Sequence, residues 1–253
     1  MKFLKTTIFA LAVLSLASCK DDKKIEPVNE SKNGAVTMQF DNYVGTEPMV
    51  LNSTNYYKNA HGDDFKVTRY KYYISNIVLF GSDGSKFIES ESYHLIDQEN
   101  AASLSFVIDS VPPGNYDSVQ VMIGVDAARN TSGAQTGALD PANGMFWTWN
   151  SGYIMAKMEG TSPQATSSLS FHIAGFSGQY SALKTVNLVL PQHMAVSTGS
   201  SNKIIVKSDL LTWFQSPIKF IDFSALSVIG SVGTESAEIA DNYANMLSVT
   251  SVQ

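Results

Sequence analysis

Apolar and polar residues alternate with a period of two along much of the chain. Val36, Met38 and Phe40 are separated by polar positions and predict a first strand. A longer β region follows from Phe65 to Phe80. There Val67, Arg69, Lys71 and Tyr73 share the parity of Phe65, and Tyr70, Tyr72, Ile74 and Asn76 share the other. Gly81-Ser82-Asp83-Gly84 turns this region into Lys86-Phe87-Ile88, a hairpin. Shorter strands are predicted at Tyr93 to Ile96, Ser103 to Ile108 and Ser118 to Val125. Pro112-Pro113-Gly114-Asn115 marks the turn between the last two. Strands resume at Ser168 to Ile173, Thr185 to Leu190 and Lys203 to Lys207.

Helical signals are few. Asp209 is placed to cap a short helix through Phe214. Glu235 to Leu247 is the best amphipathic helix, with Ile239, Tyr243, Met246 and Leu247 near one face. Asp126 to Gly144, rich in Gly, Asn, Ala and Thr, reads as an ordered loop with one short helix, Asp126 and Asp140 serving as caps. No repeat of fixed period is present. The expected fold is mainly β: a β-sandwich with a few short helices and a C-terminal helix.

The N-terminus changes the picture of where this domain sits. Lys2 and Lys5 precede an apolar run, Thr6 to Leu16, too short for a membrane span. It ends in Leu16-Ala17-Ser18-Cys19, a lipobox pattern in which Cys19 is acylated and becomes the new N-terminus. Residues 1–19 therefore read as a lipoprotein signal peptide, residues 20–34 as a charged, flexible tether, and residues 35–253 as a single β domain. The expected location is the cell envelope, lipid-anchored at the outer membrane and facing the periplasm or the cell surface.

Cys19 is the one cysteine, so no internal disulfide and no thiolate cluster can form. A net charge of −6 and the lack of a basic stripe argue against nucleic acid. With 44% hydrophobic and 16% charged residues, a substantial core is affordable. No G-x-S-x-G elbow is present, and the lone cysteine is the lipid site, so serine and cysteine nucleophiles have no support. The protein is expected not to be an enzyme.

Four histidines remain, none in a paired metal motif. His61 lies in a turn and His193 follows Pro191 at a strand end; both read as solvated. His94 and His172 stand inside apolar strand segments, where a histidine is either a satisfied core or rim residue or a ligand brought to others by the fold. The segment Met145-Phe-Trp-Thr-Trp-Asn-Ser-Gly-Tyr-Ile-Met155-Ala-Lys-Met158 gathers two of the three tryptophans, Trp147 and Trp149, among methionines. Three readings suit it: core packing, an aromatic platform on which a surface lipoprotein binds glycan or protein, or a metal site lined by sulfur and rings. Methionine and imidazole suit copper. An intact indole is a poor ligand, because its nitrogen only donates.

Several stretches in one order resemble the MbnP family of copper-binding proteins: "YKNAHGDDFKVTRYKYYISNIVL", "YHLID", "VPPGNYDSVQVMIGVD", "GALDPANGMFWTWNSGYIMAKMEG", "FHIAGF" and "AEIADNYANML". Together they span Tyr57 to Leu247. The resemblance implies an all-β envelope domain that binds copper through histidine and a tryptophan oxidised to kynurenine. The oxidation would be made by a dihaem cytochrome c peroxidase-like partner (MbnH-like). Opening the indole leaves an aromatic amine and a ketone, both able to coordinate. Carried onto this sequence, Trp147 or Trp149 is the modified residue and His94 and His172 are the ligands, expected on neighbouring strands beside the Met145 to Met158 segment. The region from Phe223 to Thr234 departs from the family pattern.

Overall fold

The computed structural model describes residues 33–147, 152–215 and 219–253. The signal peptide, Cys19, most of the tether and Trp149 lie outside them. In chain order the strands are β1 (Gly34–Val44), β2 (Glu47–Pro48), β3 (Tyr57–Lys58), β4 (Asp64–Gly81), β5 (Lys86–Ile88), β6 (Tyr93–Asp97), β7 (Ser105–Val111), β8 (Gly114–Ile123), β9 (Phe146–Trp147), β10 (Gly152–Thr161), β11 (Leu169–Ala174), β12 (Lys184–Val196), β13 (Ser201–Asp209), β14 (Val228–Ile229) and β15 (Leu247–Val252). Two α-helices join them, α1 (Ala127–Thr131) and α2 (Thr234–Tyr243).

The strands form two sheets. The smaller runs β15-β13-β1-β2, with β7 also on β1; β1 and β13 are parallel. The larger runs β12-β8-β4-β10-β11-β14, with β3, β5 and β6 on β4 and β9 on β10. Contacts between the sheets define the sandwich core. Phe40 of β1 meets the Tyr72 ring of β4 edge-on at 6.2 Å. The Tyr72 hydroxyl donates to Asn42 at 2.9 Å, and the Tyr70 hydroxyl shares a 3.0 Å bond with Ser208 of β13. Burying two phenols is tolerable because each hydroxyl keeps a partner. The β-sandwich with short helices is the fold the alternation predicts.

Strand β4 departs from its simple parity. Arg69 pairs with Glu159 while Val67 pairs with Gly160, so Thr68 is an extra residue, a β-bulge. Phe65 and Val67 thereby join Tyr70, Tyr72 and Ile74 on the buried side, and Arg69 and Lys71 turn outward. The approach of the two strands is close: a Cβ on Gly160 would stand 2.1 Å from the carbonyl oxygen of Lys66.

Strand β10 is buried on both faces along most of its length, which is why no alternation announces it. One face points between the sheets. The other is covered by the 126–144 segment, whose backbone is tied to the sheet by side chains. The Tyr153 hydroxyl donates to the Leu139 carbonyl at 2.7 Å, and the Tyr73 hydroxyl to Ala138 at 3.1 Å. Asn130 accepts the Tyr153 N–H at 2.8 Å, and the Lys157 ammonium donates to Gly144. The segment is ordered as expected. Asp126 caps α1 and Asp140 caps a 3-10 turn at Pro141–Asn143.

Asp209 accepts the Leu211 N–H at 3.0 Å and opens the expected short helix, Leu210–Phe214, in 3-10 form. Helix α2 ends at Tyr243, earlier than its apolar face suggests. Met246 and Leu247 are buried as that face requires, but Leu247 begins β15, an edge strand paired with β13. Among the described residues no helix is long and apolar enough to cross a membrane.

Candidate functional site

The methionine–tryptophan segment folds as a hairpin. Trp147 of β9 lies opposite Gly152 of β10, and Phe146 opposite Tyr153. The Ile154 N–H donates to the Met145 carbonyl at 2.9 Å and closes the next rung. Because neighbouring residues alternate across a ladder, Phe146 leaves on the Tyr153 side, where the rings meet edge-on at 5.1 Å. Trp147 leaves on the other side and is only 8% exposed. Met145, Tyr153 and Met155 are fully buried or nearly so. The Met155 sulfur accepts the Val125 N–H at 3.2 Å, which fixes that thioether against the start of the covering loop. Trp147 offers no open ring face, which removes it as a stacking platform for sugar.

His172 belongs to a different place. It lies opposite Lys157, which lies opposite Lys71, which lies opposite Asp97, a row crossing β11, β10, β4 and β6 on the outward face. This face carries a chain of ion pairs: Lys71 with Asp97 at 2.8 Å, Arg69 with Glu99 at 2.9 Å and with Glu159 at 2.6 Å. The other Glu159 oxygen takes Nε2 of His172 at 2.8 Å. Burial pushes the His172 imidazole below its ordinary range, and the Glu159 contact only partly offsets it. The ring is therefore neutral at pH 7. A neutral ring bonded to a carboxylate through Nε2 donates from that nitrogen and keeps its lone pair on Nδ1.

His94 sits opposite Ile74 on β6, on the side of Ile96 and Tyr72, and so faces the inter-sheet core. Its ring stacks on Phe106 of β7 at 3.5 Å and 3°, and its Nε2 stands 3.0 and 3.2 Å from the two oxygens of Glu89. Each strand histidine thus has a carboxylate behind Nε2, an arrangement common behind metal ligands.

The expected convergence does not occur. His94 and His172 occupy opposite faces of the larger sheet. Their strands, β6 and β11, are three strand spacings apart, roughly 14 Å. One ion holding both imidazoles needs their nitrogens within about 4 Å of each other. They cannot be ligands of one ion. Nor does Trp147 stand beside His172: their partners on β10, Gly152 and Lys157, are five residues apart, roughly 16 Å. Only the far end of the segment, where Met158 lies opposite Phe171, reaches the His172 neighbourhood. The physical reason is the length of β10. A motif compact in sequence becomes an extended strand and spreads its ends apart.

The partners Glu89, Glu159 and Arg69 carry no motif in the sequence; strand register brings Glu159 and Arg69 to His172, and the turn between β5 and β6 brings Glu89 to His94. His193, read as solvated, is exposed and pairs with Asp117. His61 is half-exposed and pairs with Asp63 at 3.2 Å.

The sequence model of the MbnP family matches residues 33–231. Among solved structures, MbnP from Methylosinus trichosporium is similar in fold, with a TM-score of 0.52 over 81% of this chain and 83% of that one, at 15% identity. No curated protein matches. The sequence match spans most of the chain, from β1 to residue 231, and takes in Phe223 to Ser231 of the region that departs from the expected pattern but not Val232 to Thr234. The chain belongs to the MbnP family.

Proposed function

We propose that this protein is a lipid-anchored copper-binding protein of the cell envelope. It holds or passes on copper and turns over no substrate of its own. The Trp147 hairpin is its centre once Trp147 or Trp149 has been oxidised to kynurenine by a dihaem cytochrome c peroxidase-like partner. The observation that carries this reading is the placement of Trp147 in a family member of this fold. The indole is buried, on the face of β9 that it shares with buried Met145, while Tyr153 and Met155 fill the other face of the β9–β10 pair.

The pair His94 and His172 does not fit one ion, so a two-histidine site is set aside. His172 alone, with its imidazole lowered by burial, keeps a lone pair on Nδ1, away from Glu159. Thioethers and an aromatic amine suit soft copper. Intact indole does not ligate, so the proposal depends on ring opening. That step breaks the indole C2–C3 bond. Tryptophan, dioxygen and water give kynurenine and formate, so one ring carbon leaves and one oxygen is gained overall. The protein contributes a buried ring, and the partner supplies the oxidation.

Protein purified from its native host with the partner present should carry copper. Protein made in a strain lacking the partner should be nearly copper-free. Equal copper content in both preparations would remove ring oxidation from the mechanism.

A further inference from the structure

The turn between β3 and β4 holds a second group of metal-ligating side chains, far from the Trp147 hairpin in sequence and unrelated to it in chemistry. Asp63 is only 5% exposed. Its Oδ2 accepts the Phe223 N–H at 2.9 Å and the Asn59 amide at 3.2 Å. Its Oδ1 faces Nδ1 of His61 at 3.2 Å. Asp222 enters from the segment that precedes α2. Its Oδ1 accepts the Ser224 N–H at 2.8 Å and hydroxyl at 2.6 Å. Its Oδ2 lies 3.9 Å from Nε2 of His61. Both carboxylates are held from behind by neutral donors, and each turns its remaining oxygen toward the same imidazole.

Like Glu89 and Asp117, which pair only with His94 and His193, the two carboxylates here have no lysine or arginine partner among the described residues. Asp64, Asp97, Glu99, Asp209 and Asp241 each pair with a lysine or arginine. Among the described residues Asp63 and Asp222 pair with His61 alone. The spot therefore holds two carboxylates and, among the described residues, no lysine or arginine. A buried carboxylate in such a place gains from a positive partner.

We propose that His61, Asp63 and Asp222 bind a divalent cation of zinc-like character. One ligand atom from each lies within 4.8 Å of the others. Ligand atoms sharing an ion at about 2.0–2.2 Å stand roughly 3 to 4.4 Å apart, so a small inward turn of the half-exposed His61 completes the geometry. One imidazole and two carboxylates form a borderline-to-hard donor set, distinct from the thioether-lined hairpin, and water fills the remaining positions. A bound ion would clamp the β3–β4 turn to the 221–225 segment.

The test is equilibrium dialysis of copper-free protein against zinc, joined to thermal unfolding with zinc and with a chelator. Asp63 is left intact, because it also holds the Phe223 N–H. His61→Ala and Asp222→Asn, which keeps the Oδ1 acceptor for Ser224, should unfold close to the wild-type temperature without metal and bind zinc at least tenfold more weakly. His193→Ala is the control, since His193 and Asp117 are an exposed pair with no third ligand; it should bind zinc like the wild type. Zinc should raise the unfolding temperature of wild type and the control only. No zinc binding by the wild type, or wild-type affinity in either His61→Ala or Asp222→Asn, would overturn the proposal.

Discussion

His94 and His172 project from opposite faces of one sheet, each with a glutamate behind its Nε2. On the proposed copper-binding function, any contribution of one must therefore be separate from that of the other. His94→Ala and His172→Ala, compared by copper content per chain, should not behave alike: at most one should lose copper, by tenfold or more, and the other should match wild type. Loss in both would mean that the sheet register differs from the one described.

Asp126 does more than its sequence position suggests. It caps α1 through the Arg129 N–H at 3.2 Å, accepts the Tyr93 hydroxyl at 2.6 Å and accepts the Asn76 amide at 3.0 Å. The last bond also steadies Asn76, whose φ of 51° puts it in the left-handed region within β4. Asp126→Ala should cost about 1–3 kcal/mol in chemical denaturation, the usual range for stranding such donors.

The same residue sets a pH dependence. Burial raises the Asp126 carboxyl, but the hydrogen bonds from Tyr93, Asn76 and the backbone outweigh it and hold it below the usual carboxylate range. A carboxyl lowered in the fold contributes stability that is complete above its unfolded value, about 3.9. That contribution is lost as pH falls through the folded value. Wild type should therefore lose more stability than Asp126→Ala between pH 5 and acid unfolding, and a constant difference between the two would contradict the assignment.

The sandwich, the β4–β5 hairpin, the Asp209 cap and the loop over 126–144 were legible, because alternation, turn residues and capping residues act locally. Strand β10 was not: both its faces are covered, so Gly152 to Met158 shows no period. The bulge at Thr68 was not either. Sequence parity placed Phe65 and Val67 with Arg69 and Lys71, and the extra residue moved them to the face of Tyr70 and Tyr72. The candidate site suffered most. His172 meets Glu159 through the register of β10 and β11, and His94 meets Glu89 across the β5–β6 turn; nothing within "YHLID" or "FHIAGF" encodes either.

Gly160 supports the bulge. Its Cβ would collide with the Lys66 carbonyl, and backbone cannot rotate out of the way as a side chain can. Gly160→Ala should destabilise by about 1–3 kcal/mol through overpacking. It should also loosen the Arg69–Glu159–His172 chain, visible as a change in the His172 imidazole titration by NMR. An unchanged denaturation midpoint would argue against the close approach.

The central claim concerns the ring chemistry at the hairpin. Trypsin should release Asn130 to Lys157 as one peptide holding both Trp147 and Trp149. Mass spectrometry of that peptide, from protein made in the native host with its peroxidase-like partner, should show one tryptophan changed by the net exchange of a carbon for an oxygen, with fragmentation assigning it to Trp147 or Trp149. Two unmodified tryptophans in protein that nevertheless carries copper would contradict the account.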